Sequence, residues 1–340
     1  MENLRGAVIG CGFFARNHLS AWSELPGVQL VAVCDRDPAR AAEAAQAFAG
    51  GKAYEDPEAL LASEELDFVD IVTQPAAHRE LVQLAARHRV PVICQKPLAP
   101  SLEDARAMVE ACRVAGVPFM VHENFRWQAP MRALADAASK LGDLFFGRIS
   151  FRTGHDVYRN QPYLARDSRF AIYDLGVHLL DLARFFLGEV ESLDCHARRV
   201  NPRIRAEDSV TMLLRMRSGA AAVVEISFFS KTDDDLFPQT LVHLEGTLGS
   251  ATLGPHYDLH TVTGEGSSRI RVPLRTFSWT KSPHEAVQES VVRIQSHWLD
   301  CLRERREPET SGADNLKTLE LVFGSYQAAA SGLPFRPAGS

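Results

Sequence analysis

The sequence predicts an α/β chain whose first part forms a parallel sheet and whose second part forms a separate, sheet-rich domain. Through residues 1–122, short β-branched runs alternate with helical patterns, which is typical of parallel strands joined by helices. Later, one helical block is followed by several extended segments, which is typical of an α+β domain. At 340 residues the chain also exceeds the usual span of one hydrophobic core.

Five apolar runs in the first part are predicted to be strands. They are Ala7–Ile9, Leu30–Val33, Phe68–Val72, Val90–Ile93 and Phe119–Val121. Two helix starts carry local signals, because Asp56 precedes a proline at the first helical position and Ser101 begins a capping-box pattern. Residues 105–115 then have a helical pattern.

The second part is predicted to contain a helix around residues 174–186, extended segments, and two final helices. The extended segments are Ser192–Arg199, Val210–Met216, Ala221–Phe229 and Thr240–Glu245. The two final helices are predicted at residues 285–305 and 315–330. The order of these elements places the strands of this part after its first helix.

Composition and charge exclude several classes of partner. The formal charge is −6 with both signs interspersed, so neither nucleic acid nor an anionic membrane surface is expected to bind. The six cysteines lack CxxC spacing and are expected to be reduced, and no apolar stretch reaches membrane-spanning length. A cytoplasmic protein is therefore expected. No metal is expected, because the histidines lack a cluster with ligand spacing.

The turn after the first strand fits the G-x-G-x-x-G/A pattern of dinucleotide sites. It lies between a strand and a helical pattern, where glycines let backbone amides approach a pyrophosphate at the positive end of a helix. Its candidate cofactor residues are Gly10, Cys11, Gly12, Phe13 and Phe14. The alternative is a glycine turn that only packs a helix on a strand.

Asp35 ends the second strand, where a carboxylate can accept hydrogen bonds from the adenosine ribose hydroxyls. This position favours NAD. Arg36 and Arg40 lie nearby and could accept the 2′-phosphate of NADP, so NAD is preferred and NADP stays open. The alternative role for Asp35 is a helix cap before Asp37-Pro38.

Other candidate cofactor residues follow later strands, at the carboxyl edge where an open α/β sheet binds ligands. Thr73, Gln74 and Pro75 are expected to border the nicotinamide, together with His78, for which packing or capping at a helix start is the alternative. Gln95 and Lys96 end another apolar run. The alternative for Lys96 is a surface lysine beside a proline.

Asp174 and His178 are four residues apart in the predicted helix and would share one helix face. A carboxylate beside an imidazole suits proton transfer during hydride chemistry on an alcohol or carbonyl. An ordinary hydrogen bond or ion pair on a helix surface is the alternative.

Taken together, these motifs resemble the glucose-fructose oxidoreductase and inositol dehydrogenase family (Gfo/Idh/MocA) over nearly the whole chain. The likeness rests on Gly10-x-Gly12, Asp35, Thr73-x-Pro75 with His78, Lys96-Pro97 and Asp174-x-x-x-His178. It implies a Rossmann domain and an α+β domain with an open, mostly antiparallel sheet. The expected domains are 1–122 for dinucleotide binding, 123–308 for substrate and oligomerisation, and 309–340 as a C-terminal helix packing back on the Rossmann domain.

The resemblance also implies catalytic roles for Lys96, Asp174 and His178. His178 would remove the substrate hydroxyl proton during hydride transfer to the nicotinamide, Lys96 would stabilise charge on oxygen, and Asp174 would orient the imidazole or substrate. The implied substrate is a sugar, polyol or sugar acid, and the implied assembly is a homodimer or homotetramer. Two other functions stay open: a non-redox enzyme with tightly bound NAD, and a catalytically silent nucleotide-binding regulator.

The chain departs from the family's pattern at two places. Gln95 stands where most of the family has glutamate, and a neutral amide cannot hold Lys96 charged in the same way. Residues 170–173, Phe-Ala-Ile-Tyr, stand where many relatives have glycines, so a bulkier wall is expected beside the substrate.

Asn124, Arg126 and Tyr163 are candidate substrate contacts. Asn124 and Arg126 belong to a polar and aromatic segment after the last Rossmann strand, where domain-hinge hydrogen bonds are the alternative. Tyr163 lies in a loop rich in tyrosine and arginine, which could equally serve an interface.

Overall fold

The computed structural model describes residues 3–49 and 51–338 and divides into two compact units. The first unit extends to Asn124 and includes Gln288–Leu316, whereas the second holds Phe125–Val287 and the chain from Lys317 onward. This division differs from the predicted domains, which placed residues 288–308 in the second domain and packed the final helix on the first.

The first unit is built on a parallel sheet. Its strands are β1 (Leu4–Ile9), β2 (Val28–Cys34), β3 (Lys52–Tyr54), β4 (Phe68–Ile71), β5 (Val92–Gln95) and β6 (Phe119–His122). Within the described residues their order is β3-β2-β1-β4-β5-β6, and every pair is parallel. The order reverses between β1 and β4, and open sheets of this kind bind ligands in the crevice outside the carboxyl ends at this switch point.

Helices connect these strands. They are α1 (Ala15–Ser23), α2 (Pro38–Ala44), α3 (Pro57–Ser63), α4 (Pro75–Arg87) and α5 (Leu102–Ala115), and a π-helical turn, Ala45–Ala49, continues α2. The side chains of Asp37, Asp56 and Ser101 accept hydrogen bonds from amides in the first turns of α2, α3 and α5. They satisfy donors that a helix start would otherwise leave open, so the predicted caps at Asp56 and Ser101 are confirmed.

The second unit is built on a mixed, mostly antiparallel sheet. Its strands are β7 (Leu144–Arg152), β8 (Val190–Arg198), β9 (Ser209–Met216), β10 (Ala221–Ser227), β11 (Leu241–Gly246), β12 (Gly249–Leu253), β13 (Asp258–Thr263) and β14 (Gly266–Arg271). Among the described residues the order is β14-β13-β12-β11-β7-β10-β9-β8, with only β7 and β10 paired in parallel. Along β9, buried and exposed residues alternate, as in a sheet with one covered face. The predicted fold class is confirmed.

Four further α-helices lie in residues 51–338. They are α6 (Ala129–Ala138), α7 (Val177–Leu187), α8 (Glu285–Glu304) and α9 (Gly312–Ser331), and a π-helical turn, Ala171–Gly176, leads directly into α7. The structure therefore differs from the predicted helix at residues 174–186, whose first turn is not a regular α-helix. No helix within residues 3–49 and 51–338 is long and apolar enough to cross a membrane.

Side-chain hydrogen bonds explain why the last two helices divide as they do. In the first unit, Gln288 of α8 donates to Asn17 and Gln295 donates to the carbonyl of His18, both in α1. In the second unit, Tyr326 of α9 donates to Glu207 at 2.7 Å. Each helix therefore has polar partners, far away in the sequence, within the unit that holds most of it.

Candidate active site

The glycine turn after β1 has two glycines with different structural roles. Gly10 has φ +100°, and a Cβ at this position would lie 2.5 Å from the carbonyl oxygen of Val72. A Cβ at Gly12 would meet nothing within 4 Å. The backbone over Gly12 is therefore open at the start of α1, where amides and the helix dipole favour a pyrophosphate. This geometry fits a dinucleotide.

Asp35 holds its carboxylate beside the glycine turn. Its Oδ2 accepts from the amide of Cys11 at 2.7 Å, and its Oδ1 accepts from the amide of Asp37 at 2.9 Å. Each carboxylate oxygen can accept a further hydrogen bond, so the ribose hydroxyls of a dinucleotide fit here. The cap of α2 is Asp37 and not Asp35. Burial, followed by the charge of Asp35, raises the pKa of the Cys11 thiol to about 12.

The two arginines near Asp35 lie at the surface. Arg36 is exposed, and Arg40 forms an ion pair with Asp37 at 3.3 Å. Asp35 is thus the residue of this group that contacts the glycine turn, which is the arrangement expected for NAD.

The segment after β4 is joined to the segment after β5 through His78. Gln74 precedes α4 and Pro75 begins it, while the buried ring of His78 lies 3.1 Å from the carbonyl oxygen of Thr73 and 2.9 Å from that of Leu98. Burial lowers the pKa of His78 and so favours the neutral ring. This position supports the structural alternative for His78, and a cofactor contact stays a prediction.

Lys96 follows β5 at the same edge of the sheet as the glycine turn and Asp35. Its backbone amide donates to Oε1 of Gln95 at 2.6 Å, and Nε2 of Gln95 lies 3.0 Å from Nε2 of His18. The parallel sheet therefore brings together the predicted residues of the first unit. His18, which sequence reasoning missed, is the side chain in α1 that contacts Gln95.

Asp174 and His178 lie in consecutive turns of different type. Asp174 is in the π-helical turn, where hydrogen bonds span five residues, and His178 is in the first turn of α7. The side-chain spacing is therefore not that of the regular α-helix that the sequence predicted. The buried His178 ring stacks on Phe125, with ring centroids 3.8 Å apart and planes 5° apart.

Three polar side chains of the second unit experience the charge of Asp174. Burial, then Asp174 and Asp167, raise the pKa of Tyr163 to about 12, and Tyr163 donates to Gln161 at 2.6 Å. Burial and then Asp174 raise the pKa of Asp167, and the pKa of Tyr173 is raised mainly by burial. Carboxyl and phenol groups such as these are suited to hydrogen bonding with a polyhydroxyl ligand. Asp167 carries no local sequence motif and was missed.

Glu207 holds the start of the turn that carries Asp174. One oxygen of its carboxylate, Oε1, accepts from the amides of Phe170 at 3.2 Å and Ile172 at 3.0 Å, and from the Tyr326 hydroxyl. Burial and Glu207 raise the pKa of Tyr326, which therefore remains a donor. Nothing near residue 207 in the sequence indicates this role, because its partners are 35 or more positions away.

Two of the three predicted substrate residues make buried contacts within their own units. Arg126 donates through Nε and Nη2 to both carboxylate oxygens of Asp181, and Asn124 donates to Ser290 at 2.6 Å. These contacts do not join the two units, so neither the domain-hinge alternative nor substrate contact is tested, and both stay predictions. Within the described ranges, no group of three or more His, Cys, Asp or Glu residues could hold a metal ion.

Both parts of the chain match models of known protein families. Residues 4–123 match the oxidoreductase family with an NAD-binding Rossmann fold. Residues 107–252 match the GFO/IDH/MocA C-terminal domain. The two matches together extend from β1 to β12.

Relatives are similar over almost the whole chain. A D-apiose dehydrogenase of Paraburkholderia graminis is 49% identical, covering 98% of this chain and 89% of the relative. A D-apiose dehydrogenase of Rhizobium rhizogenes is 47% identical, covering 98% and 97%. The crystal structure of an oxidoreductase from Agrobacterium radiobacter in complex with NAD+, L-tartaric acid and magnesium is 46% identical, with TM-score 0.96 and 98% of each chain covered.

Proposed function

The chain belongs to the Gfo/Idh/MocA family of oxidoreductases, and from this we propose that it oxidises D-apiose or a closely related aldose with NAD+. Membership confirms the predicted resemblance, the dehydrogenase class and the nicotinamide cofactor. The observation that supports the substrate is the likeness to two D-apiose dehydrogenases along nearly the full chain. L-Tartaric acid in the similar Agrobacterium structure makes hydroxy acids the second class to test.

The proposed chemistry removes two hydrogens from a carbinol group. The bound nicotinamide supplies the hydride acceptor. The substrate C–H bond breaks as hydride and the O–H proton moves to an imidazole nitrogen of His178, leaving a carbonyl, which is a lactone when the carbinol is a lactol. Lys96 stabilises the negative charge that develops on oxygen, and Asp174 orients the imidazole or the substrate.

We also propose that NAD is preferred to NADP. Asp35 holds its carboxylate at the end of β2 through the amides of Cys11 and Asp37. A 2′-phosphate at that place would meet this negative charge, whereas ribose hydroxyls can donate to it. The geometry of one carboxylate supports the preference.

The test is turnover of D-apiose, other aldoses and L-tartrate with NAD+ and NADP+, followed by absorbance of the reduced cofactor. His178→Asn is expected to lower turnover by roughly two to four orders of magnitude while NAD affinity stays unchanged. His196→Asn, an exposed histidine of β8, is the matched control. Unchanged turnover in His178→Asn would remove this residue from the chemistry. Substrate conversion without net NADH would favour the non-redox enzyme.

The remaining proposals concern assembly and location. We propose a homo-oligomer that forms through the open face of the second sheet, where Leu213 is 52% exposed beside Val223 of β10. Light scattering on the full chain and on Leu213→Glu tests this proposal, with dissociation of the variant expected. A cytoplasmic location is proposed because all six cysteines are free thiols, which suits a reducing compartment. No nucleic-acid partner is proposed, in keeping with the net charge of −6.

A further inference from the structure

A buried chain of hydrogen bonds leads to the backbone of Lys96 within the first unit. Asp70 of β4 accepts through Oδ2 from Nε1 of Trp22, and the same oxygen lies 2.8 Å from Nδ1 of His18. Nε2 of His18 lies 3.0 Å from the side-chain nitrogen of Gln95, whose oxygen accepts from the Lys96 amide. Asp70 and His18 are completely buried, so bulk solvent does not reach them.

The Lys96 amide fixes the direction of every bond in this chain. A backbone N–H can only donate, so the atom of Gln95 that faces it must be the side-chain oxygen. The side-chain nitrogen of Gln95 then faces His18 and donates to Nε2. A ring nitrogen that accepts carries no proton, so the proton of the His18 ring is on Nδ1 and is donated to Asp70.

We propose that Gln95, His18 and Asp70 are positioning residues that hold the backbone of Lys96, with His18 fixed as its neutral Nδ1–H tautomer. The catalytic consequence rests on the role of Lys96 in the proposed function, whereas the tautomer does not. These hydrogen bonds also explain the glutamine at this position, because Gln95 offers one acceptor to Lys96 and one donor to His18.

A glutamate at position 95 would change the number of protons in this chain. A carboxylate has no donor, so one further proton would be needed to avoid two facing acceptors, either on Nε2 of His18 or on the introduced carboxyl group. On His18 that proton would produce an imidazolium between two carboxylates in a buried site. Gln95 completes the hydrogen bonds without any added charge, which burial disfavours.

Two further titratable side chains, His122 and Cys94, lie beside these hydrogen-bonded residues. His122 of β6 packs its ring on His18 with centroids 4.1 Å apart, and Gln295 of α8 donates to the His18 carbonyl. Burial, followed by the charge of Asp70, raises the pKa of Cys94 of β5 well above the ordinary value and keeps it a thiol. His122 is thus the second titratable ring to be assigned in the experiment.

The direct test is nitrogen-15 NMR of the histidine-labelled full chain near neutral pH. His18→Asn and His122→Asn identify the two rings by loss of their signals. The expected spectrum shows His18 with a protonated Nδ1 and an unprotonated Nε2. A proton on Nε2, alone or together with Nδ1, would overturn the proposal without reference to any activity.

Two substitutions of Gln95 test the consequence for Lys96. Gln95→Met removes both hydrogen bonds and is expected to lower kcat roughly tenfold to a hundredfold, as displaced catalytic groups do, with NAD affinity changed less than about threefold. Gln95→Glu keeps an acceptor for Lys96 but needs one further proton, on His18 Nε2 or on the introduced carboxyl, to keep the contact with His18. Its kcat should fall as rising pH removes that proton. Gln29→Met and Gln29→Glu, on the exposed Gln29 of β2, are the controls.

Unchanged kcat in Gln95→Met, or a kcat of Gln95→Glu with the same pH dependence as that of the original chain, would overturn the positioning role. Failure of the proposed function gives a different result. In that case Lys96→Met leaves turnover unaffected, while the His18 tautomer is still observed as expected.

Discussion

Alanine substitutions at the two glycines of the nucleotide turn should affect different properties, stability at Gly10 and NAD affinity at Gly12. Gly10→Ala forces a side chain to φ +100° and places its Cβ 2.5 Å from the Val72 carbonyl oxygen. The left-handed conformation costs about 1–2 kcal/mol and the overpacking about 1–3 kcal/mol, so about 2–5 kcal/mol of unfolding free energy is lost. At about 2–4 °C per kcal/mol, Tm should fall by roughly 4–20 °C.

Gly12→Ala meets neither obstacle, since its Cβ lies in open space. The free energy of unfolding should change by less than about 0.5 kcal/mol. The added methyl group stands where a pyrophosphate must approach the backbone, so NAD affinity should fall at least about tenfold, or about 1.4 kcal/mol. Thermal unfolding and calorimetric titration with NAD+ measure the two effects separately.

Two other glycines serve as matched controls. Gly116 has φ +69° in open space, so Gly116→Ala measures the conformational cost without the contact with Val72. Gly264→Ala, in open space between β13 and β14, matches Gly12→Ala. If Gly10→Ala is no less stable than Gly116→Ala, the contact with Val72 does not explain the glycine. Undiminished NAD affinity in Gly12→Ala would refute the pyrophosphate site.

Three further outcomes are expected. Asp35→Ala should weaken NAD more than NADP, because it removes the ribose acceptor, and titrations with both cofactors measure this. Glu207→Leu should lower kcat roughly tenfold to a hundredfold at unchanged NAD affinity, because three donors that fix the turn of Asp174 lose their acceptor. Glu189→Gln should lower stability at neutral pH in urea titrations. Arg184 holds the pKa of Glu189 at about 2, below its unfolded value of about 4.3, so this loss should disappear as pH falls from about 4.3 to about 2.

Each of these outcomes has a control and a contrary result. For Asp35→Ala the control is Asp37→Ala, which removes the α2 cap and should lower stability without changing the ratio of NAD to NADP affinity. An equal loss of affinity for NAD and NADP in Asp35→Ala would contradict the ribose contact. Exposed Glu265 supplies the matched variants Glu265→Leu and Glu265→Gln. Wild-type kcat in Glu207→Leu would end its positioning role. A stability difference in Glu189→Gln that persists below about pH 2 would rule out the ionised carboxylate as its cause.

The sequence predicted most accurately those elements that carry their own local signals. The caps at Asp56 and Ser101 depend on residues two or three positions away, so they are readable from the chain. Strands β3, β7 and β12–β14 were not predicted. Strand β14 shows one reason, because Gly266–Arg271 is exposed throughout and has no apolar alternation. Its strand exists because β13 supplies the hydrogen bonds.

By itself, then, the sequence predicted five of the six described strands of the Rossmann sheet and the glycine turn, and it supplied Asp35, Lys96, Asp174 and His178 as candidate site residues. Those features depend on local periodicity and on motifs. Only the tertiary structure revealed the π-helical turn at Asp174 and the partners of Gln95. Gln95 and His18 are 77 positions apart, and a hydrogen bond over that separation depends on how a helix packs on a sheet. No local pattern of residues records such a contact.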